Sequence, residues 1–216
     1  MAWSYQPNVL GPFCKSQGAT ATPLLDGVFN AFQSTIQKAS GRLYGALPFG
    51  SADGKGLLRD SIAWFAIKPS VESTGHPSAS IFKQGYVVPS NGYSLLNPAF
   101  GLDKSGAGAL GFTITNQSKD VPGGFPSAGL VGFNGKAIES SILVSGPGIA
   151  ADDGFGCLVP GLPGRWGDYG AATVDAATGF FYVANENISG ARAPQTDWGT
   201  FITQIKASPP LATAQQ

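Results

Sequence analysis

Three short stretches decide the fold of this chain: Ala39-Ser40-Gly41, Lys104-Ser105-Gly106 and Ala177-Thr178-Gly179. Each is a small-residue turn ending in glycine, and each stands before a run of strand-forming residues, namely 42–49, 109–115 and 180–184. The turns are about 65 and about 73 residues apart, and a sustained spacing of this kind is typical of a modular all-β array. The pattern predicts a β-propeller, in which each repeat supplies a hairpin and further short strands.

Outward from these turns, the sequence predicts about three blades, at 23–90, 91–146 and 147–206, with an N-terminal segment 1–22 and a disordered tail 207–216. The strands expected in the three blades are, in order, 32–38, 42–49, 61–68 and 80–88; 95–102, 109–116, 128–133 and 141–144; and 169–175, 180–185 and 200–205. The third blade lacks an obvious fourth strand. The segment 1–22 is either a linker or a remnant of a preceding blade.

Three blades do not close a ring, because known propellers have about four to eight blades. An open array would leave a sheet face exposed at each end. We therefore expect an incomplete ring that either self-associates or joins blades lying upstream in a longer protein.

Composition and charge narrow the range of partners. The 31 Gly and 16 Pro fall between apolar runs, as expected for strands joined by turns. Because 13 Lys and Arg balance 13 Asp and Glu without a basic cluster, nucleic acid is not an expected partner. The apolar run 62–67 is far shorter than the roughly 20 residues that a membrane span needs, so none is expected. Residues 1–10 lack the pattern of a signal peptide.

No catalytic site is indicated by the two cysteines, the single histidine or the acidic turn at 152–154. Cys14 and Cys157 either form a bridge, worth at most roughly 5 kcal/mol by the loop-entropy model, or stay as two free buried thiols. His76 lies in a polar loop and is expected to be solvated. Asp152-Asp153-Gly154 is either a loop turn or a source of two ligands for a structural calcium. No other metal or cofactor is expected.

The last predicted hairpin places charged residues at one edge of its sheet. Arg165 and Asp168 precede the first strand, and Glu186 ends the second, so the topology brings them together. One interpretation is a glycosidase-like site, with Asp168 and Glu186 as the catalytic carboxylates and Arg165 holding an anionic sugar. The other is a structural Arg–carboxylate network packed by Trp166 and Tyr169.

The same region carries a resemblance to a known group of proteins. Its motifs are Arg165-Trp166-Gly167-Asp168-Tyr169, Asn185-Glu186 and Trp198-Gly199-Thr200-Phe201-Ile202. They resemble the last blade of a little-characterised group of secreted bacterial sialidase-like β-propellers, and segments 41–47, 62–65, 97–99 and 125–128 match that group in the same order. The resemblance implies further blades upstream and a secreted or cell-surface location, but no defined activity.

The chain also departs from true sialidases. True sialidases hold the substrate carboxylate with three arginines and use a tyrosine paired with a glutamate. The arginines of this chain are Arg42, Arg59, Arg165 and Arg192. An upstream half would have to supply the missing parts of such a site. The aspartate-box turn of such proteins is matched only partly, by residues 51–56, and this segment is expected to be an ordinary turn.

Three functions remain open at this point. The first is a non-catalytic propeller that binds a carbohydrate or a protein, with Arg165, Trp166, Tyr169 and Trp198 as ligand-binding residues. Other aromatic side chains expected at the surface are Trp3, Tyr86 and Tyr93. The second is a glycoside hydrolase that uses Asp168 and Glu186. The third is a propeller fragment without activity of its own.

Overall fold

The computed structural model describes residues 4–5, 7, 24–26, 31–152, 164–190 and 198–206. Throughout these residues the regular structure is β-sheet and no helix occurs. The predicted tail 207–216, both cysteines and most of segment 1–22 lie outside the described residues. No helix in the described part of the chain is long and apolar enough to cross a membrane.

Fourteen strands form four sheets within the described ranges. The small sheet contains β1 (Ser4–Tyr5), β2 (Leu24–Asp26) and β11 (Gly164–Arg165), with β2 antiparallel to β1 and parallel to β11. The first sheet contains β3 (Gln37–Ala39), β4 (Arg42–Ala52), β5 (Leu58–Val71) and β6 (Pro77–Val87). The middle sheet contains β7 (Tyr93–Leu102), β8 (Gly108–Asn116), β9 (Ser127–Phe133) and β10 (Leu143–Gly146). The third sheet contains β12 (Ala171–Val174), β13 (Phe180–Asn187) and β14 (Gly199–Lys206).

The three glycine turns that the sequence singles out are confirmed as hairpin turns. Each joins the first two strands of its sheet: β3 to β4, β7 to β8, and β12 to β13. The backbone has positive φ at Ser40 (47°), Gly41 (69°), Gly106 (94°) and Gly179 (73°). Glycine tolerates this region best, which is why a glycine ends each turn.

Aspartate side chains fix several of the turns. Asp103 Oδ1 accepts hydrogen bonds from the backbone N–H groups of Ser105 (2.8 Å) and Ala107 (3.1 Å). Asp53 Oδ1 accepts the equivalent bonds from Lys55 (2.8 Å) and Leu57 (2.9 Å). This is the usual way in which aspartate stabilises a turn. The partial aspartate-box match at 51–56 therefore lies in an ordinary hairpin turn, as the sequence predicts.

We expect Asp103→Ala to lower the free energy of unfolding by about 1 kcal/mol, because two backbone donors lose their acceptor. Urea denaturation measures this change. Asp120→Ala is the control, since the Asp120 side chain is exposed and pairs with exposed Lys119. An equal loss of stability in both variants would show that the turn bonds contribute nothing specific.

The three larger sheets stack in chain order, with the middle sheet between the other two. Large apolar side chains fill the interface between the first and middle sheets, where the Phe133 ring lies 5.0 Å from Trp64 and 6.0 Å from Tyr44 between centroids. Phe100 joins the same cluster, 5.0 Å from Phe133. Rings at these separations contribute both buried area and edge-to-face contact.

The opposite face of the middle sheet is built from small residues. Gly101 and Gly111 pair across the ladder with Ala109 and Ala99. A Cβ on Gly101 would lie 3.1 Å from the Ala172 Cβ, and one on Gly111 would overlap Val183. The absence of side chains at these positions lets the third sheet approach closely.

Connections in an up-and-down sheet alternate between its two ends, which gives the stack two distinct ends. The turn end carries the three glycine hairpins, and Ser40 N–H donates to Lys104 O there (3.0 Å). The loop end carries 53–57, 88–92, 117–126 and 166–170. Bonds between sheets confirm this grouping, since Arg59 Nη2 donates to Gln117 Oε1 at the loop end (2.9 Å).

The prediction of a strand at 32–38 is wrong except at its end, because β3 is confined to Gln37–Ala39. Two of the preceding side chains, Phe32 and Ile36, instead lie over the outer face of the first sheet. A Cβ on Gly45 would lie 2.6 Å from Ile36 Cδ1 and 2.7 Å from Phe32 Cε1, so these side chains occupy the space that Gly45 leaves. Filling that gap outweighs the strand propensity of the segment.

Candidate functional site

Glu186 lies at the loop end of the third sheet, opposite Thr200 of β14. Its carboxyl group rests against Gly167, where a Cβ would overlap it, and it accepts a hydrogen bond from the Gly167 backbone N–H. Glu186 Oε2 is buried and has no hydrogen-bond partner among the described residues. The hairpin topology thus brings Glu186 to the segment that contains Asp168, as the sequence predicts.

Burial raises the pKa of Glu186 from its ordinary value of 4.5 to about 7. The bond from Gly167 opposes this shift, and the negative charges of Asp168 and Asp152 add to it. A carboxyl group that titrates near neutral pH can either donate or accept a proton under ordinary conditions.

The segment 166–170 is held by side chains from two other parts of the chain. Asn97 Nδ2 donates to Gly167 O (2.6 Å), and Gln33 Nε2 donates to Asp168 O (2.9 Å). Asn97 sits where the register of β7 shifts, with a positive φ of 51°. Such a bulge redirects a side chain out of the regular ladder, here toward the backbone beside Glu186.

Trp166 does not lie at the surface. Its side chain is 2% exposed and packs with Leu25, Leu96 and Ile188. The Trp166 ring is therefore part of the core that anchors the segment and is not open to a ligand. Arg165 pairs through its backbone with Asp26, and its side chain lies outside the described residues.

Two other predicted ligand-binding residues are exposed at the loop end. The side chains of Tyr169 and Trp198 are 71% and 48% exposed. Trp198 directly precedes Gly199, which pairs with Asn187 next to Glu186. Tyr169 also lines a shallow pocket of about 250 Å³ between the segment 33–37 and β12. Two exposed aromatic side chains and the Glu186 side chain therefore lie at the same end of the stack.

The other aromatic side chains expected at the surface lie elsewhere. Tyr86 is exposed on the outer face of the first sheet, whereas Tyr93 is half-buried and donates through its hydroxyl to Pro122 O (2.8 Å). Trp3 lies outside the described residues. His76 is exposed in the turn between β5 and β6.

The calcium interpretation of Asp152-Asp153-Gly154 stays a prediction. Asp152 is buried, but Asp153 and Gly154 lie outside the described residues. Within the part of the chain that the structure describes, no three His, Cys, Asp or Glu side chains form a metal-binding group.

A second polar region, which the sequence reasoning missed, lies at the loop end between the first and middle sheets. It is a groove of about 660 Å³ that contains buried Arg59. Arg59 Nε donates to Asp53 Oδ2 (3.1 Å). The available signal was the spacing, because the hairpin turn that begins at Asp53 places Arg59 opposite Ser51, close to Asp53 in the sheet.

The chain matches no protein-family model, no curated protein and no solved structure. Its function has to be inferred from the chemistry of the loop end.

Proposed function

We propose that the three larger sheets are consecutive blades of a β-propeller. Each is an up-and-down sheet, the sheets stack in chain order, and their first hairpins point to the same end. This is the arrangement of neighbouring propeller blades. A second copy or further blades would complete the ring, and the molar mass in solution, measured by light scattering, distinguishes a closed assembly from a monomer.

We further propose that the protein is a non-catalytic carbohydrate-binding propeller, secreted or on the cell surface. The observation that supports binding is that two exposed aromatic side chains, Tyr169 and Trp198, lie at the same end of the stack as Glu186. Aromatic rings stack on the apolar faces of sugar rings, and a carboxyl group bonds to their hydroxyls. The loop end thus combines the two kinds of contact that a saccharide needs.

The test is titration of a soluble oligosaccharide, first identified on a glycan array, against the wild type and two variants. Tyr169→Ala and Trp198→Ala should each weaken binding about five-fold, since each removes a stacking surface. Their melting temperatures should stay near that of the wild type, because both side chains are exposed.

Tyr86→Ala is the matched control, because it removes an equally exposed aromatic ring from the outer face of the first sheet. It should leave the affinity unchanged. The proposal fails if no glycan binds, or if Tyr86→Ala weakens binding as much as the two loop-end variants do.

Glycoside hydrolysis is the second candidate, and the pKa of Glu186 favours it. A carboxyl group with a pKa of about 7 has the property required of the general acid, and Asp168 would act as the second carboxylate. Turnover of a glycoside that Glu186→Gln and Asp168→Asn both abolish, with binding retained, would favour hydrolysis over binding alone.

A further inference from the structure

We propose that the groove between the first and middle sheets is a binding site for a carboxylate group, with Arg59 as its recognition residue. This site is distinct from the aromatic site around Glu186. It lies between the first and middle sheets, whereas Glu186 lies on the third sheet. Its size of about 660 Å³ falls within the range of small-molecule pockets. The residues that line it are mainly polar: Asp53, Gly54, Lys55, Arg59, Asn91, Gly92, Asn116, Gln117 and Ser118.

Arg59 is fixed in position on two sides. Its Nε donates to Asp53 Oδ2 (3.1 Å), and its guanidinium carbon lies 4.3 Å from the centroid of the Tyr5 ring. The residue is only 3% exposed. A guanidinium group held in this way loses little conformational freedom when it binds a ligand.

The two terminal nitrogens of the guanidinium group are incompletely bonded. Arg59 Nη2 donates to Gln117 Oε1 (2.9 Å), whereas buried Nη1 has no hydrogen-bond partner among the described residues. Buried charged donors in proteins are normally paired, so a bare Nη1 points to a missing acceptor.

Gln117 occupies the place where a ligand oxygen would bind. Gln117 is exposed, so its neutral amide oxygen can be displaced from Arg59 Nη2 without disturbing the core. A carboxylate in its place would reach both Nη1 and Nη2 and form two parallel, charge-assisted bonds. The exchange replaces one neutral bond with two stronger ones.

The charge of the groove suits an anion. Asp53 balances Arg59, and exposed Lys55 adds a further positive charge at the rim. The surrounding amide and hydroxyl groups, on Asn91, Gln117 and Ser118, can bond to the polar body of a small ligand. A carboxylate belongs either to an acidic sugar or to an amino acid or peptide end, and the two sources require separate probes.

The experiment is calorimetric titration of the full chain with glucuronate and with N-acetylglycine. Glucose and N-acetylglycinamide are the matched uncharged probes. We expect at least one carboxylate to bind, with its uncharged partner at least ten-fold weaker, and the carboxylate that binds identifies the source. Failure of both carboxylates to bind, or equal binding of the uncharged partners, overturns the proposal.

Three variants test the residues. Lys55→Ala should weaken binding about three-fold, whereas Lys104→Ala should not change it, because Lys104 occupies a similar exposed turn at the opposite end. Gln117→Ala should strengthen binding about three-fold, because the competing amide is gone. Arg59→Lys should weaken it at least ten-fold. Because Arg59 is buried and that variant can fail to fold, Gln117→Ala is decisive: weaker binding in this variant would overturn the displacement of Gln117.

Discussion

Gly111→Ala is expected to lower the free energy of unfolding by about 2–3 kcal/mol, because the added methyl group overpacks the interface between the middle and third sheets. A Cβ at this position would overlap Val183 Cγ1 and lie 2.8 Å from Asn185 Oδ1. Both neighbours are buried on β13 and cannot turn toward solvent. For a chain of this size the loss corresponds to a fall of about 4–12 °C in melting temperature.

Gly132→Ala provides the matched control, since Gly132 lies in β9 of the same sheet. A Cβ there would meet only Ser140, at 3.4 Å, which is ordinary contact. This variant should change stability by less than about 0.5 kcal/mol. In a Val183→Ala background, Gly111→Ala should cost less than it does alone, because the overlapping methyl group is absent. A full, additive cost in the double variant would place the strain elsewhere.

Glu186→Gln is expected to stabilise the protein above pH 7 by about 1–2 kcal/mol, a figure that already allows for the water that reaches part of the carboxyl group. Burial raises the pKa of Glu186 from 4.5 to about 7, so the folded state binds more protons than the unfolded state between these values. The stability that Glu186 confers is therefore complete below about pH 4.5 and is lost as the pH rises to about 7. Glutamine carries no charge and avoids this loss.

Urea denaturation of both proteins at pH 5 and pH 8 measures the effect. The wild type should lose stability relative to Glu186→Gln on going to the higher pH, and the difference should level off above pH 8. Glu72→Gln is the control, because Glu72 lies in the exposed turn after β5. If Glu186→Gln is instead less stable than the wild type at pH 8, the ionised carboxylate has a stabilising partner, as in the structural interpretation of this cluster.

The sequence predicts the hairpins well because their signals are local. A turn such as Lys104-Ser105-Gly106 needs a glycine at positive φ, and the strands on either side follow from it. The segment 31–36 could not be predicted in the same way. Its position depends on the space above Gly45, which exists only after the first sheet has formed.

One of the two candidate sites is predictable from local sequence, and the other is not. The approach of Glu186 to the segment with Asp168 follows from hairpin topology, so the sequence predicts it. The groove around Arg59 joins side chains from two sheets, and no local pattern records which turns of different sheets become neighbours. Burial is equally non-local, which is why Trp166 and Tyr169 look alike in sequence although one is buried and the other exposed.

Among the described residues, the middle sheet has another of the three larger sheets packed on each of its faces, with large side chains toward the first sheet and mainly glycine and alanine toward the third. Each outer sheet packs its buried face on the middle sheet, so we expect the middle sheet to form before the other two or together with them. Either outer sheet can detach while the middle sheet keeps its other neighbour. The backbone amides of β8, which lies inside the middle sheet, should accordingly be the last to exchange their hydrogens with solvent.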